Sequence, residues 1–196
     1  MVEQTAAPGL GKVVFSEHDI AAAVARLGRE ISAACAGKPL LMVGVLKGAL
    51  PFAADLMRAL GDYPLTVDFM VVSSYGDGRD GDVDVRLLKD LDTNPSGRHI
   101  LLVEDIVDEG YTLEYLLNNL RSRQAASVQS CALINKTFHR AVNVEPDYVG
   151  LQAPDDAFLV GYGLDFQEHF RNLPHIRQLQ AGFQRRVVGD SKTAGG

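Results

Sequence analysis

Residues 100–120 read ILLVEDIVDEGYTLEYLLNNL, and the change of pattern inside this stretch decides the fold. Ile100, Leu101, Leu102 and Val103 form a short apolar run, the pattern of a strand buried on both faces of a parallel sheet, so a strand is expected to end near Val103. Further on, Leu113, Leu116, Leu117 and Leu120 recur at i, i+3, i+4 and i+7, one apolar stripe of a helix with Thr112 at or near its first turn. Strand, tight loop and helix in succession predict an α/β protein with a central, mainly parallel sheet flanked by helices.

The loop between the two elements carries Glu104, Asp105, Ile106, Val107, Asp108, Glu109, Gly110, Tyr111 and Thr112. A helix N-terminus presents unpaired N–H groups and the positive end of the macrodipole, which together favour a phosphate. Gly110 permits a sharp turn and close approach to a ligand, and Thr112 can add a hydroxyl donor. Carboxylates facing a phosphate would repel it, so Glu104 and Asp105 are expected to face sugar hydroxyls or a magnesium ion. The pattern fits a sugar phosphate, and taken alone it also fits a solvated acidic turn.

Outward from this stretch the same logic recurs. Leu40 to Val45 is a second short apolar run; it meets Leu46, Lys47 and Gly48 before a helix carrying Phe52, Leu56, Met57 and Leu60. A Lys and a Gly at the C-terminal end of a buried parallel strand stand where open α/β sheets bind ligands, although a surface turn with a solvated Lys has the same composition. Ile20, Val24, Leu27 and Ile31 predict an amphipathic helix from near Ser16 to Gly37. Leu65–Val72 and Val83–Leu88 are strand-like, and the glycine- and aspartate-rich connection between them, with residues 74–82 at its centre, is expected to be mobile: a plain hairpin loop, or a lid that excludes water. Val128–Ile134, Tyr148–Leu151 and Phe158–Tyr162 predict further strands, with Lys136 just beyond the first of them. Residues 1–10 and 189–196 are expected to be disordered, and 1–196 to form one domain with a small hood made from its two ends.

Composition sets independent bounds. A chain of 196 residues with 46% hydrophobic and 22% charged residues can bury a core without disulfide or metal support. The net charge of −6 and a pI near 5.3 argue against a nucleic-acid or anionic-membrane partner as the main role. Cys35 and Cys131 read as small buried hydrophobes of a reducing compartment. No apolar run approaches the ~18 residues of a membrane span, and a cytoplasmic location is expected. His139, His169 and His175 show no metal-ligand spacing and are assigned no role.

The motifs resemble a known family. VEDIVDEGYTL resembles the phosphoribosyl-diphosphate (PRPP) motif of type I phosphoribosyltransferases. VGVLKGALPFAADL is similar to the pyrophosphate loop, INKTFHR to the base-recognition strand end, and FLVGYGLDFQEHFRNLPHI to the C-terminal segment of the hypoxanthine-guanine phosphoribosyltransferases, all in the family's order.

The resemblance implies the type I phosphoribosyltransferase fold, a purine-salvage reaction of PRPP with hypoxanthine or guanine, and magnesium (Mg2+) as cofactor. It implies that residues 104–112 bind PRPP, Glu109 to Thr112 cradling the 5-phosphate, that Glu104 and Asp105 meet the ribose diol or the metal, and that Asp108 accepts a proton at N7 of the base. Lys47 and Gly48, with a strained or cis Leu46–Lys47 peptide, Ser74 and Tyr75 of the lid, and Arg171 would hold pyrophosphate. Lys136 would donate to the purine 6-oxo group, Phe158 stack on the base, backbone groups of Leu159 and Val160 meet the ring edge, and Asp165 serve base site and metal. The expected partners are PRPP, a 6-oxopurine and pyrophosphate, with no nucleic acid or membrane, in a homodimer or homotetramer. The other readings are a PRPP-binding transcriptional regulator on the same fold, and an enzyme for another base such as xanthine.

One residue departs from the pattern: Glu109 stands where the family commonly has Ser or Thr. A carboxylate facing the phosphate at ~5 Å would cost roughly 3 kcal/mol at an effective dielectric near 20, so its side chain is expected to point away and only its N–H to join the cradle.

Overall fold

The computed structural model describes residues 9–75 and 84–183. In chain order its elements are β1 (Leu10–Phe15), α1 (Glu17–Cys35), β2 (Leu40–Leu46), α2 (Leu50–Ala59), β3 (Leu65–Tyr75), β4 (Asp84–Lys89), β5 (His99–Val107), α3 (Tyr111–Ser122), β6 (Ser127–Asn135), β7 (Tyr148–Gln152), β8 (Leu159–Val160) and β9 (Ile176–Leu179). Six strands form the main sheet in the order β4-β3-β2-β5-β6-β7, parallel except for β4, which runs antiparallel to β3. A second sheet, β1-β9-β8, is antiparallel and joins the N-terminal strand to two late ones, the hood expected from the chain's ends.

The apolar runs are explained by burial on both faces. Along β2, Leu40 and Met42 pack with α1 and α2, whereas Leu41, Val43 and Val45 pack with α3; Leu101 and Val103 alternate with Ile100 and Leu102 in the same way on β5. The α3 stripe is buried throughout, Leu113, Leu116, Leu117 and Leu120 being at most 3% exposed, and each such side chain contributes about 2 kcal/mol as an upper bound. In α2, by contrast, Phe52 and Leu56 are buried but Met57 is exposed on the outer surface. Both cysteines are buried and free.

The structure moves several boundaries. β5 does not end near Val103 but continues to Val107, because β6 is long enough to pair with it: Glu104 faces Ala132, Ile106 faces Ile134 and Val107 faces Asn135. Backbone pairing needs no apolar side chain, so the ladder outlasts the hydrophobic run and carries both acidic residues on a strand rather than a loop. Likewise β3 extends past Val72, and Ser74 and Tyr75 have strand backbone paired with Val85 and Asp84. The remainder of the expected lid, residues 76–82, lies outside the described residues, as do 1–8 and 189–196. Of the segment expected to be loose at the start, Leu10 is instead buried and pairs with Leu179. Of Phe158–Tyr162, only Leu159 and Val160 form a strand.

Candidate active site

The C-terminal ends of the parallel strands β2, β5 and β6 point to one edge of the sheet, and the loops that leave them build the site. After β5 the chain turns at Gly110, whose φ of +95 lies in the left-handed region and whose missing Cβ would stand 2.9 Å from methyls of Val142 and Val144. Only glycine fits there. Gly110 is also the N-cap of α3, and no side chain caps that helix, so the first-turn N–H groups of Tyr111 and Thr112 remain open to a ligand.

Arg140, the last residue of INKTFHR and without an expected role of its own, fastens this loop. Its Nε donates to the Asp108 carbonyl at 2.8 Å and its Nη2 to the Asn135 side chain at 2.6 Å, while Ala141 N donates to the Glu109 carbonyl at 2.9 Å. The result is a pocket of about 220 Å3 walled by Glu104 and by Ile106 to Leu113. Among the described residues the Glu109 carboxylate forms no ion pair.

The loop after β2 begins with a cis peptide between Leu46 and Lys47. Gly48 lies so close to Asp105 that a Cβ would fall inside the Asp105 carboxylate, and a Cβ on Gly163 would fall on the Gly48 carbonyl. Lys47 Nζ pairs with Glu168 at 2.9 Å. Glu168 also meets Arg171 at 3.2 Å, and Arg171 reaches Asp165 at 2.8 Å and the Gly163 carbonyl at 2.8 Å. Glu168, which the sequence did not single out, thus sits between the two cations expected at the pyrophosphate.

On the hood side, a second pocket of about 220 Å3 is lined by Asp105, Asp108, Lys136, Phe158, Leu164 and Asp165, among others, including Leu159 of β8. Val160, the other residue of β8, is fully buried. Phe158 is 43% exposed and braced edge-on by Phe166 at 5.8 Å, so one of its surfaces remains open. Lys136 Nζ, on a side chain only 9% exposed, contacts Asp108 Oδ2 at 3.0 Å and Asp156 Oδ1 at 3.1 Å; the same Asp156 oxygen meets His139 Nε2 at 2.7 Å. Asp108 Oδ1 is buried without a partner. Asp108 lines both pockets and, with Ile106, forms their common wall. Ser74 and Tyr75 end β3, beside β2 in the sheet.

Electrostatics single out the acidic pair. Burial, with Asp105 close by, holds the Glu104 carboxyl well above its ordinary range, and burial pushes Asp105 up to about 6. Glu104 Oε1 is buried and unpartnered. Two carboxyls with raised affinity for positive charge and a free buried oxygen fit a ligand that brings hydroxyl donors or a cation. Among the described residues no group of three His, Cys, Asp or Glu side chains forms a ready-made metal cluster, so a cation here would complete its shell from water and substrate oxygens.

Against known proteins, residues 13–167 match the model of the phosphoribosyl transferase domain. The chain is 46% identical over 169 residues to the Bacillus subtilis hypoxanthine-guanine phosphoribosyltransferase, covering 86% of this chain and 93% of the relative. It is equally similar, over the same share of its own length, to the bifunctional protein TilS/HprT of Listeria innocua, of which it spans only 26%. Among solved structures, a hypoxanthine phosphoribosyltransferase from Staphylococcus aureus superposes with a TM-score of 0.83 at 38% identity, covering 89% of this chain and 94% of that one. A Trypanosoma cruzi hypoxanthine phosphoribosyl transferase, solved in work on the role of its C-terminal region in oligomeric state and enzymatic activity, gives 0.83 at 35% identity, covering 95% and 98%. With four motifs in order, a matching domain model and the Bacillus subtilis relative covered over 93% of its length, the chain belongs to the hypoxanthine-guanine phosphoribosyltransferases of the phosphoribosyl transferase domain family.

Proposed function

We propose that this protein transfers the 5-phosphoribosyl group of PRPP to N9 of hypoxanthine or guanine, giving IMP or GMP and pyrophosphate. The observation that carries the reading is Asp108, one oxygen of which is held by Lys136 while the other is buried, unpartnered and set in the wall between the two pockets. A carboxylate so placed can take the proton from N7 of a base lying on Phe158 while N9 bonds to C1 of the ribose and the C1–oxygen bond to pyrophosphate breaks.

The other residues bind and orient. The open N–H groups of Gly110, Tyr111 and Thr112 receive the 5-phosphate, and Glu104 and Asp105 accept from the ribose diol. Lys136 donates to the 6-oxo group, and Leu159 and Val160 present backbone to the ring edge. Lys47, the Gly48 backbone and Arg171 receive the pyrophosphate, with Ser74 and Tyr75 closing over it. Magnesium, when bound by Glu104, Asp105 and Asp165, would neutralise charge on the leaving pyrophosphate. Holding base and sugar in line supplies much of the acceleration. We further propose a cytoplasmic homodimer or homotetramer; no helix among the described residues is long and apolar enough to cross a membrane.

Incubation with PRPP, magnesium and each of hypoxanthine, guanine, xanthine, adenine and uracil tests the reading by nucleotide formed. IMP and GMP are the expected products. PRPP binding with no nucleotide from any base would overturn the enzyme in favour of a PRPP-sensing regulator.

A further inference from the structure

An ammonium group has three N–H donors and no acceptor, so two fixed partners determine where the third points. Lys136 is in that situation. Its Nζ lies 3.0 Å from Asp108 and 3.1 Å from Asp156, and its side chain is nearly buried, which leaves one donor for the pocket beside Phe158. Asp156 belongs to a connection that is itself tied down: Ala153 N donates to the Asn135 carbonyl at 2.9 Å, and Asp155 Oδ1 accepts from Ala157 N at 3.1 Å. His139 then grips the oxygen that Lys136 uses, at 2.7 Å.

A half-exposed ion pair usually contributes little to stability, and Asp156, 52% exposed, would be unremarkable if its partner were a surface Lys. Here the partner is the buried cation at the base pocket. Without Asp156, Asp108 would be the only anion left on Lys136 among the described residues, and the ammonium would leave its place between the two carboxylates for a closer hold on the one that the reaction uses. Hydrogen bonds to both carboxylates hold the Lys136 ammonium above its ordinary range despite the opposing effect of burial, in keeping with a permanently charged donor.

We propose that Asp156 is a positioning residue for base recognition: it fixes the Lys136 ammonium against Asp108, aims its remaining donor at the 6-oxo group of the purine, and keeps Asp108 available to the base. The inference rests on the reading that Lys136 is the 6-oxo donor.

Steady-state kinetics with hypoxanthine and PRPP varied separately test both levels. Asp156→Ala is expected to raise the KM for hypoxanthine by about three- to tenfold and to leave the KM for PRPP within about twofold, the size expected for one charge-assisted hydrogen bond. Lys136→Met is expected to raise the hypoxanthine KM further, and the double variant to be no worse than Lys136→Met alone. If Lys136→Met raises that KM and Asp156→Ala does not, or if the two effects multiply in the double variant, the positioning role is overturned while the base-site reading stands. An unchanged hypoxanthine KM in Lys136→Met would overturn the underlying reading itself.

Discussion

The N-termini of α1 and α3 face the same physical problem, four backbone N–H groups without helical partners, and resolve it in opposite ways. At α1, Ser16 Oγ accepts from Asp19 N at 3.2 Å and Asp19 Oδ2 accepts from Ser16 N at 2.9 Å, a closed capping box. At α3 the cap is Gly110, with no side chain turned back on the helix. The carboxyls nearby follow suit. Asp19 is held below its ordinary range by Ser16, whereas burial holds Glu104 and Asp105 above theirs. One helix end is finished by its own chain and serves stability; the other is left unfinished for a ligand to complete, at some cost to the free protein.

The largest expected effect tests whether the unfinished end is chemical as well as binding. Asp108→Asn should lower kcat on the order of 10²-fold with little change in PRPP affinity, measured by initial rates of IMP formation. Unchanged turnover would reduce the α3 loop to a binding site.

Next comes the pH dependence of the free protein. A carboxyl whose folded pKa is raised stabilises the fold while protonated and loses that contribution as pH rises. Asp105, moved from 3.8 to about 6, should therefore cost the apo protein about 2 kcal/mol between pH 4 and pH 7, with Glu104 adding in the same direction. Glu104→Gln should flatten this fall in chemical denaturation; a slope identical to that of the parent would mean that Glu104 is already satisfied.

A paired experiment then separates the two helix ends. Thr112→Val should raise the KM for PRPP several-fold with little loss of stability, and Ser16→Ala should cost about 1 kcal/mol in unfolding free energy with both KM values unchanged. If the two variants exchanged these signatures, the contrast would be wrong. The smallest effect is at Glu109: Glu109→Ser should change the KM for PRPP by less than about threefold. A tenfold gain in PRPP binding would show that the carboxylate faces the phosphate.

What the sequence makes legible is whatever depends on neighbours along the chain. The Leu113 to Leu120 stripe, the Ser16 start of α1 and the two-sided burial of β2 all follow from local periodicity or capping. The end of β5 does not, because it depends on how far β6 runs beside it, and the outward turn of Met57 depends on what packs over α2. The site divides in the same way. The composition of residues 104–112 points to a sugar phosphate, but the roles of Lys136, Phe158 and Asp165 came from family resemblance and not from their own surroundings. Arg140 and Glu168 lie inside the quoted motifs without a role of their own, and Asp156 lies outside them. Arg140 holds Asp108 across 32 residues and Glu168 meets Lys47 across 121, pairings that no local pattern encodes.

The stacking of Gly48 on Asp105 and of Gly163 on Gly48 has a consequence for mutational tolerance. Three segments remote in the chain meet there, with only the Asp105 carboxylate between Gly48 and β5 and nothing between Gly163 and the Gly48 carbonyl, so adding a single methyl group at either glycine would drive one loop off the next. Neutral drift has no intermediate steps at these positions. A saturation library selected for growth on a 6-oxopurine should retain glycine at 48 and 163 while accepting broad variety on the outer surface around Met57, and a designer grafting this loop onto another scaffold would have to transplant all three segments together.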